Sequence, residues 1–118
     1  MTQKEKELLL RDLSARLPYG VKVQIIKNNQ LGTYTLYPSD IDSFKHNFQD
    51  IKPYLRSMSS MTEEEKETYE MFFNEDGLLD TSVDTYLDYL LENHFDYRGL
   101  IPMGLAIEVI EENNPYKK

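Results

Sequence analysis

The sequence VKVQIIKNNQLGTYTLY, residues 21–37, decides the fold class. It begins with Val21, Val23 and Ile25 at every second position and polar side chains between them. Side chains of a β-strand point alternately to opposite faces, so this period predicts a strand with one buried and one solvated face. The stretch therefore starts with a strand at the border between a core and solvent.

The rest of the stretch predicts a second strand, joined to the first by a tight turn. Asn28 and Asn29 follow the first strand, and asparagine tolerates a positive φ better than most non-glycine residues. Residues Thr33–Tyr37 are mostly β-branched or aromatic, which is typical of strands, and Pro38 ends them. Because an isolated two-stranded hairpin is only marginally stable in water, we expect a third strand or a covering helix.

A helix over residues 2–16 is predicted, and it is one candidate for the cover. Thr2 and Glu5 have the spacing of a capping box, in which each side chain accepts a hydrogen bond from the other residue's backbone N–H. Pro18 disfavours a helical conformation at the residue before it, so the helix should end near residue 16. The apolar stripe of this helix is formed by Leu9, Leu10, Leu13 and Leu17.

Residues 39–61 combine a helical spacing with a strand-like segment. Ser39 is placed to cap the helix, and Pro53 would stop it. Residues Tyr54–Arg56 then predict a short third strand, which Pro53 would confine to an edge or to the strand start. The apolar positions at helical spacing are Ile41, Phe44, Phe48 and Ile51.

Two acidic helices are predicted in the C-terminal half. Thr62 and Glu65 repeat the capping-box spacing, and Gly77 can adopt the left-handed conformation that ends a helix. A second helix is predicted over about residues 82–94, followed by turns and a short strand near residues 105–110. The apolar stripe of the second helix is Val83, Tyr86, Leu87, Leu90, Leu91 and His94.

Together these elements predict an α+β fold with an N-terminal helix, a small antiparallel sheet of two or three strands, and two acidic helices. No linker rich in proline, glycine or serine divides the chain, so residues 1–118 are interpreted as a single domain. The last residues, from Asn113 to Lys118, are expected to fray.

Composition and charge exclude several classes of site. The chain has no cysteine, which removes disulfides, thiolate metal sites and a cysteine nucleophile. No apolar run reaches the ~20 residues that span a bilayer, and the charged N-terminus is unlike a signal peptide, so we expect a cytoplasmic protein without membrane contact. The net charge of −8 argues against direct nucleic-acid binding, because phosphate contacts supply most nonspecific affinity.

The negative charge belongs to one segment. Residues 62–97 carry twelve Asp or Glu and one Lys, whereas residues 1–61 have a balance of +3. Within the acidic segment, carboxylates recur every four residues, which places them on neighbouring turns of the second acidic helix about 6 Å apart. This row consists of Asp80, Asp84, Asp88 and Glu92, and Asp96 would extend it if the helix ran that far.

Three interpretations of the row are open: a solvated helix face, a docking face for a basic partner, and a divalent-metal site. Metal sites usually draw ligands from more than one element, so no metal or other cofactor is predicted. The functional hypothesis is the docking face, with Tyr89 as the exposed aromatic residue beside it. The partner would be a basic protein surface, including one that binds nucleic acid and that the carboxylate row mimics.

The alternative function is a small hydrolase or a metal-dependent enzyme that uses paired carboxylates. Neither a glycine-rich phosphate loop, a G-x-S-x-G elbow nor a two-histidine metal spacing is present. His94 is interpreted as a packed, noncatalytic histidine whose pKa burial lowers. The two functions differ in geometry, because an enzyme needs carboxylates that converge in a concave pocket, whereas a docking protein presents them on a convex surface.

Three segments, Leu8–Val23, Ile51–Thr62 and Asn93–Ile101, resemble a family of small uncharacterised proteins associated with gut-bacterial prophages and mobile elements. The likeness covers most of the chain apart from about residues 27–50. It implies a mobile-element setting in a bacterial cytoplasm, and it assigns no role to any residue.

Overall fold

The computed structural model describes residues 1–47 and 50–117. It confirms the α+β class, with four α-helices and a four-stranded mixed sheet in these ranges. The helices are α1 (Gln3–Arg16), α2 (Pro38–Lys45), α3 (Glu63–Glu70) and α4 (Val83–Glu92). The strands are β1 (Lys22–Lys27), β2 (Gln30–Thr35), β3 (Lys52–Leu55) and β4 (Ile107–Glu108). Short 3-10 turns span Leu17–Tyr19, Met58–Ser60 and Glu111–Asn113.

Helix α1 confirms the predicted N-terminal helix. Thr2 is its N-cap, and the Thr2 hydroxyl accepts a hydrogen bond from the Glu5 N–H at 3.1 Å. The Glu5 carboxylate accepts one from the Thr2 N–H at 2.8 Å, which completes the capping box. Leu9 and Leu13 are fully buried in the main apolar cluster. The leucine stripe therefore packs as its spacing predicts.

The hairpin of β1 and β2 is closed by a two-residue turn. Asn28 and Asn29 have φ angles of 53° and 64°, as a type I′ turn requires, and this turn matches the twist of paired strands. Lys27 lies directly opposite Gln30. Because pairing resumes immediately after the turn, β2 begins three residues earlier than the predicted segment Thr33–Tyr37.

The sheet has four strands in the order β2-β1-β3-β4, which corrects the expectation of two or three antiparallel strands. β1 pairs antiparallel with β2 and β3, but β3 pairs parallel with β4, where Tyr54 lies opposite Ile107. β4 confirms the short strand predicted near residues 105–110, although at two residues it is too short to show an alternating pattern. Pro53 lies near the start of β3 but opposite Val23 in the interior of the sheet, not at an edge.

Helix α2 begins one residue before the predicted cap at Ser39. Its N-cap is Tyr37, whose N–H donates to the carboxylate of the buried Asp40 at 2.9 Å. The cap therefore uses a side chain inside the helix. Of the apolar positions predicted here, Phe44 is buried, Ile41 is half-buried, Ile51 is buried beyond the helix, and Phe48 lies outside the described residues.

Helix α3 is shorter than predicted. Its capping box at Thr62 is present, but the helix ends at Glu70, well before Gly77. The side-chain oxygen of Asn74 accepts two backbone N–H groups at 2.9 and 3.0 Å and so builds a tight turn of its own. Gly77, with a φ of 77°, therefore belongs to this turn and not to the helix cap.

Helix α4 ends at Glu92, two residues before the predicted boundary, in a Schellman motif. The His94 N–H donates to the Leu91 carbonyl at 3.1 Å, and the Phe95 N–H donates to the Leu90 carbonyl at 2.9 Å. His94 has a φ of 62°, in the left-handed region that this motif usually fills with glycine. The helical stripe therefore stops before His94, and that residue is half-buried.

The main apolar cluster joins α1, the hairpin, α2, β3 and residues 100–106. Since α1 and β1 contribute to the same cluster, each covers the apolar face that the other presents. The buried members are Leu9, Leu13, Val21, Val23, Ile25, Leu36, Phe44, Ile51, Leu55, Leu100, Leu105 and Ala106.

A buried ion pair ties α1 to the C-terminal half. Arg16 and Asp12 have side chains that are 0% exposed, and the Arg16 Nε donates to the Asp12 carboxylate at 2.7 Å. Arg16 also donates to the Phe95 carbonyl at 2.7 Å, while Arg98 donates to the other Asp12 oxygen at 3.1 Å. Buried charges are costly without partners, so this network specifies how α1 packs against the segment that follows α4.

The C-terminal segment is packed at Tyr116, in contrast to the expected fraying. The Tyr116 hydroxyl donates to the Tyr54 carbonyl of β3 at 2.7 Å and accepts from the Lys22 N–H of β1 at 2.9 Å. Burial raises the pKa of Tyr116. The tyrosine thus joins the chain end to two strands of the sheet.

Candidate functional site

Three of the four row carboxylates belong to α4, and the fourth precedes it. Ser82 is the N-cap of α4, and its hydroxyl accepts from the Thr85 N–H at 3.1 Å. Asp80 lies in the preceding segment, where its backbone N–H donates to the Phe72 carbonyl at 2.7 Å. We call the row Asp80, Asp84, Asp88 and Glu92 the acidic face.

The acidic face is exposed and has no ion-pair partner in residues 1–47 and 50–117. All four residues are exposed. None of the ion pairs that basic side chains form in these ranges includes any of them. Among the twelve carboxylates of residues 62–97, Glu65 has an ion pair in the described ranges, with Arg56. Helix α4 contains no basic residue that could neutralise its neighbours. Within residues 1–47 and 50–117, the charge of the acidic face is therefore not compensated by an ion pair.

One side chain from outside the acidic segment contacts this face. The Tyr19 hydroxyl donates a hydrogen bond to the Asp88 carboxylate. This bond, more than any other influence, raises the pKa of Tyr19, because ionising the phenol would place a second negative charge beside Asp88; Glu92 acts in the same direction. Tyr19 belongs to the 3-10 turn after α1. The two partners are 69 positions apart, so no local pattern could have predicted the contact.

Tyr89 is half-buried, which corrects the expectation that it is the exposed aromatic residue of the row. Its ring packs edge-on against Phe72, with ring centroids 5.4 Å apart. Its hydroxyl donates to the Glu65 carbonyl at 3.2 Å, and burial raises the pKa of Tyr89. Tyr89 therefore supports α4 from the side of α3, and the acidic face itself is built of carboxylates.

An aromatic cluster holds α4 against α3. The rings of Phe73 and Tyr86 meet edge to face with centroids 5.7 Å apart, and the Tyr69 and Tyr86 hydroxyls lie 3.4 Å apart. Burial first, and then the bond to Tyr69, raise the pKa of Tyr86 to about 12. Edge-to-face aromatic pairs contribute about 0.5–1.5 kcal/mol each beyond their burial. The helix that carries most of the acidic face is therefore packed against α3.

A two-bond ion pair connects α3 to the end of β3. The Arg56 guanidinium donates to both Glu65 carboxylate oxygens, at 2.6 and 2.8 Å, and this pairing lowers the pKa of Glu65. The same guanidinium lies over the Phe95 ring, 4.4 Å from its centroid. The Arg56 N–H donates to the His94 carbonyl at 2.8 Å, so β3 also contacts the chain where α4 ends. Both acidic helices are therefore attached to the sheet.

Three exposed apolar side chains lie close to the acidic face along the chain. Met71 is 81% exposed, Leu78 64% and Val83 59%. They lie between the end of α3 and the first turn of α4. Val83 was predicted on the buried stripe, but the structure leaves it exposed in the first turn of α4, which corrects that prediction. The sequence predicted Val83 as buried because apolar side chains at helical spacing usually are, and it carried no pattern from which to predict the exposure of Met71 and Leu78.

The carboxylates of the acidic face line none of four cavities found in the described residues. Four cavities of about 540, 410, 320 and 630 Å³ are lined by the sheet, α1 and the chain ends, and not by the acidic face. Within the described ranges, no three Asp, Glu or His side chains are grouped so that they could hold a metal ion. Asp96 does not extend the row, because it is buried and accepts the N–H groups of Leu100 and Ile101 at 2.8 and 2.9 Å.

Comparisons with protein-family models, curated proteins and solved structures find no match for this chain. None of the helices in residues 1–47 and 50–117 has the length and apolar character needed to cross a bilayer. The mobile-element setting implied by the resemblance stays a prediction. A functional proposal therefore depends on the acidic face and what surrounds it.

Proposed function

We propose that the protein is a noncatalytic interaction protein that binds a basic partner through the acidic face of α4. The observation that supports this most is that three carboxylates of α4, and Asp80 just before it, lie exposed with no ion-pair partner in the described residues. They are exposed on the surface and line none of the four cavities described above, which favours docking over carboxylate catalysis. The proposal places the protein in a bacterial cytoplasm, in the mobile-element setting.

Charge repulsion within the acidic face favours a basic partner. Like charges one helical turn apart destabilise a helix by about 0.2–0.5 kcal/mol per pair, which applies to Asp84 with Asp88 and to Asp88 with Glu92. Glu92 also lies at the C-terminal end of α4, where the helix dipole disfavours a negative charge. A bound cationic surface removes both effects, so binding and helix stability support each other.

The exposed apolar residues indicate that the partner carries apolar side chains as well as basic ones. Complementary charge mainly speeds association, whereas burial of apolar surface supplies affinity. Leu78 and Val83 offer such surface next to Asp80 and Asp84 in the chain. We therefore infer a partner that carries basic and apolar side chains together, as a basic amphipathic helix does.

The direct experiment is capture of partners from bacterial lysate by the wild-type protein and by the double variant Asp84→Asn/Asp88→Asn. The control is Glu111→Gln/Glu112→Gln, which removes the same charge at two exposed positions outside α4. We expect wild type and control to retain the same basic proteins at low salt and to lose them at high salt, because exposed charges are screened beyond ~8 Å at physiological ionic strength. The Asp84/Asp88 variant should retain at least about tenfold less of these proteins than the wild type. This corresponds to a loss of ~1.4 kcal/mol of binding free energy.

Two results would contradict the proposal. Recovery of the same proteins in equal amounts by the wild type and the Asp84/Asp88 variant at both salts would exclude the acidic face as the binding site. Equal losses in the variant and in the Glu111/Glu112 control would show that net charge matters and the location of that charge does not. Circular dichroism of each variant verifies that the fold is retained.

A further inference from the structure

Strand β2 is an unpaired edge of the sheet that carries no protective charge. It spans Gln30–Thr35, its neighbour on one side is β1, and no strand of the described residues pairs with its other side. None of its six residues is charged. Natural proteins usually protect such edges with charged residues, proline, bulges or a very short strand. A full-length, uncharged edge therefore points to a pairing surface.

The register identifies the backbone groups that are free to pair. The Leu36 N–H donates to the Val21 carbonyl at 3.0 Å, and bonded and non-bonded positions alternate along an antiparallel pair. Leu31, Thr33 and Thr35 therefore direct their N–H and C=O groups away from β1. These three residues form a continuous outer edge about 13 Å long.

We propose that two copies of this chain associate by antiparallel pairing of β2 with β2, with the two-fold axis at Thr33. In this register Thr33 lies opposite Thr33 of the second copy, and Leu31 lies opposite Thr35 of the second copy. Every outward backbone group of the edge then has a partner, and the two sheets become one sheet of eight strands. This interface is independent of the proposed docking function, because it uses the opposite edge of the sheet from the acidic helices.

The side chains fit this pairing. Gly32 and Tyr34 lie on the opposite face of β2 from Leu31, Thr33 and Thr35, because side chains alternate along a strand. In the proposed register, Tyr34 of one copy lies opposite Gly32 of the second copy. The Tyr34 ring already covers Gly32 of its own chain, since a Cβ added to Gly32 would lie 3.0 Å from that ring. An aromatic side chain next to bare glycine backbone compensates for the missing side chain across strands. Leu31, 63% exposed in one copy, gains a β-branched neighbour in Thr35 of the second copy.

The charge distribution does not oppose a second copy at this edge, despite the net charge of −8. The acidic helices join the sheet beyond β3, where Arg56 bridges to Phe95, two strands away from β2. Pairing at β2 therefore keeps the two acidic segments at the far ends of the joined sheet. The lysines nearest the edge have partners in their own chain: Lys27 lies 3.2 Å from Asp40, and Lys22 donates to Thr35 at 2.6 Å.

Sedimentation equilibrium of the full chain over a concentration series tests the association. We expect a reversible dimer whose dissociation constant rises at least about tenfold in Leu31→Lys. Each copy then places one lysine on the paired edge, and charged side chains at a strand edge disfavour pairing. The matched control is Leu78→Lys, since Leu78 is 64% exposed but lies in the acidic half. Its dissociation constant should stay within about twofold of wild type. A wild type that is monomeric throughout, or equal effects of the two lysines, would overturn the proposal.

Single cysteines test the register, and the natural chain has none to interfere. Residues directly opposite in a bonded antiparallel pair have Cα atoms about 5.5 Å apart, so Thr33→Cys should form a covalent dimer with a short bis-maleimide. Leu78→Cys, similarly exposed before substitution, should remain monomeric under the same reagent. Efficient cross-linking of Thr33→Cys alone supports β2 pairing even if Leu31→Lys proves unstable. Absence of the Thr33→Cys dimer, or equal cross-linking at both positions, would refute it.

Discussion

The imidazole of His94 lies stacked on the ring of Tyr116, with centroids 3.8 Å apart and an angle of 10° between the planes. His94 occupies the left-handed position at the end of α4, and Tyr116 bonds to β1 and β3. The stack therefore connects the helix that carries the acidic face to the sheet. Burial, followed by the charges of Arg16 and Arg56, lowers the pKa of His94 to about 4, which confirms the direction that packing predicts.

This pKa predicts a loss of stability as the pH falls through weakly acidic values. The unfolded histidine binds a proton near its ordinary pKa of 6.5, whereas the folded one stays neutral down to about 4. Between these values the unfolded state binds more protons, so the contribution of His94 is present above pH 6.5 and is lost progressively toward pH 4. Because the side chain is only half-buried, we expect about 1–2 kcal/mol, measured by urea unfolding at pH 7.5 and pH 4.5.

The variant His94→Asn isolates this contribution from that of the many carboxylates. Asparagine tolerates the left-handed conformation, so the end of α4 should keep its geometry. The variant should lose less stability than wild type between the two pH values. Identical pH dependence of the two proteins would contradict the role of His94.

The hairpin turn predicts a stabilising substitution. Asn29 has a φ of 64°, which glycine adopts without steric cost, and Asn-Gly is the preferred pair for a type I′ turn. Asn29→Gly should therefore raise the free energy of unfolding, by up to about 1 kcal/mol. Asn29→Val, with a branched side chain at the same angle, should lower it by a similar amount or more. Thermal unfolding of both variants measures the two effects. Equal stability of the two variants would show that the turn relaxes to accommodate either side chain.

The buried ion pair predicts unequal effects of two arginines that bond to one carboxylate. Arg16→Met leaves the fully buried Asp12 with Arg98 as its cation and should destabilise the fold by about 3–5 kcal/mol. Arg98→Met, at a partly exposed position, should cost about 1 kcal/mol, because Arg16 still neutralises Asp12. Denaturant unfolding compares the two variants. Equal destabilisation would mean that Asp12 depends on both cations together.

Local features of the fold could be predicted from the sequence. The capping boxes at Thr2 and Thr62 and the turn at Asn28 and Asn29 each depend on residues a few positions apart, and all appear in the structure. The alternation of β1 likewise depends on neighbouring residues alone. Such signals are set by backbone geometry and hydrogen bonding within one or two turns of chain.

The remaining features depend on contacts between distant segments. The parallel pairing of β3 with β4 joins Tyr54 to Ile107, and the strand involved is too short to carry a pattern of its own. The contacts of Tyr19 with Asp88 and of Arg16 with Phe95 cross similar separations. For the candidate site, the exposure of the carboxylates followed from their spacing. The burial of Tyr89 did not, because it depends on where α3 packs.

The shared core of α1 and the hairpin supplies the last prediction. Leu13 is fully buried in the main apolar cluster, whereas Leu31 is exposed on β2. Leu13→Ala should therefore lower the free energy of unfolding by about 2–5 kcal/mol, and the matched change Leu31→Ala should alter it by less than about 0.5 kcal/mol. Both are compared by urea unfolding at one low protein concentration, so that association does not contribute.

Deletion of residues 1–16 extends this test from one side chain to the whole helix. The deletion uncovers the buried face of β1, with Val23 and Ile25, and an uncovered hairpin is only marginally stable. It also removes both members of the Arg16–Asp12 pair. We expect the truncated chain to lose its cooperative thermal transition. A sharp single transition in this chain would show that β1 is stabilised without α1, and that the packing of helix on hairpin is not what holds the core together.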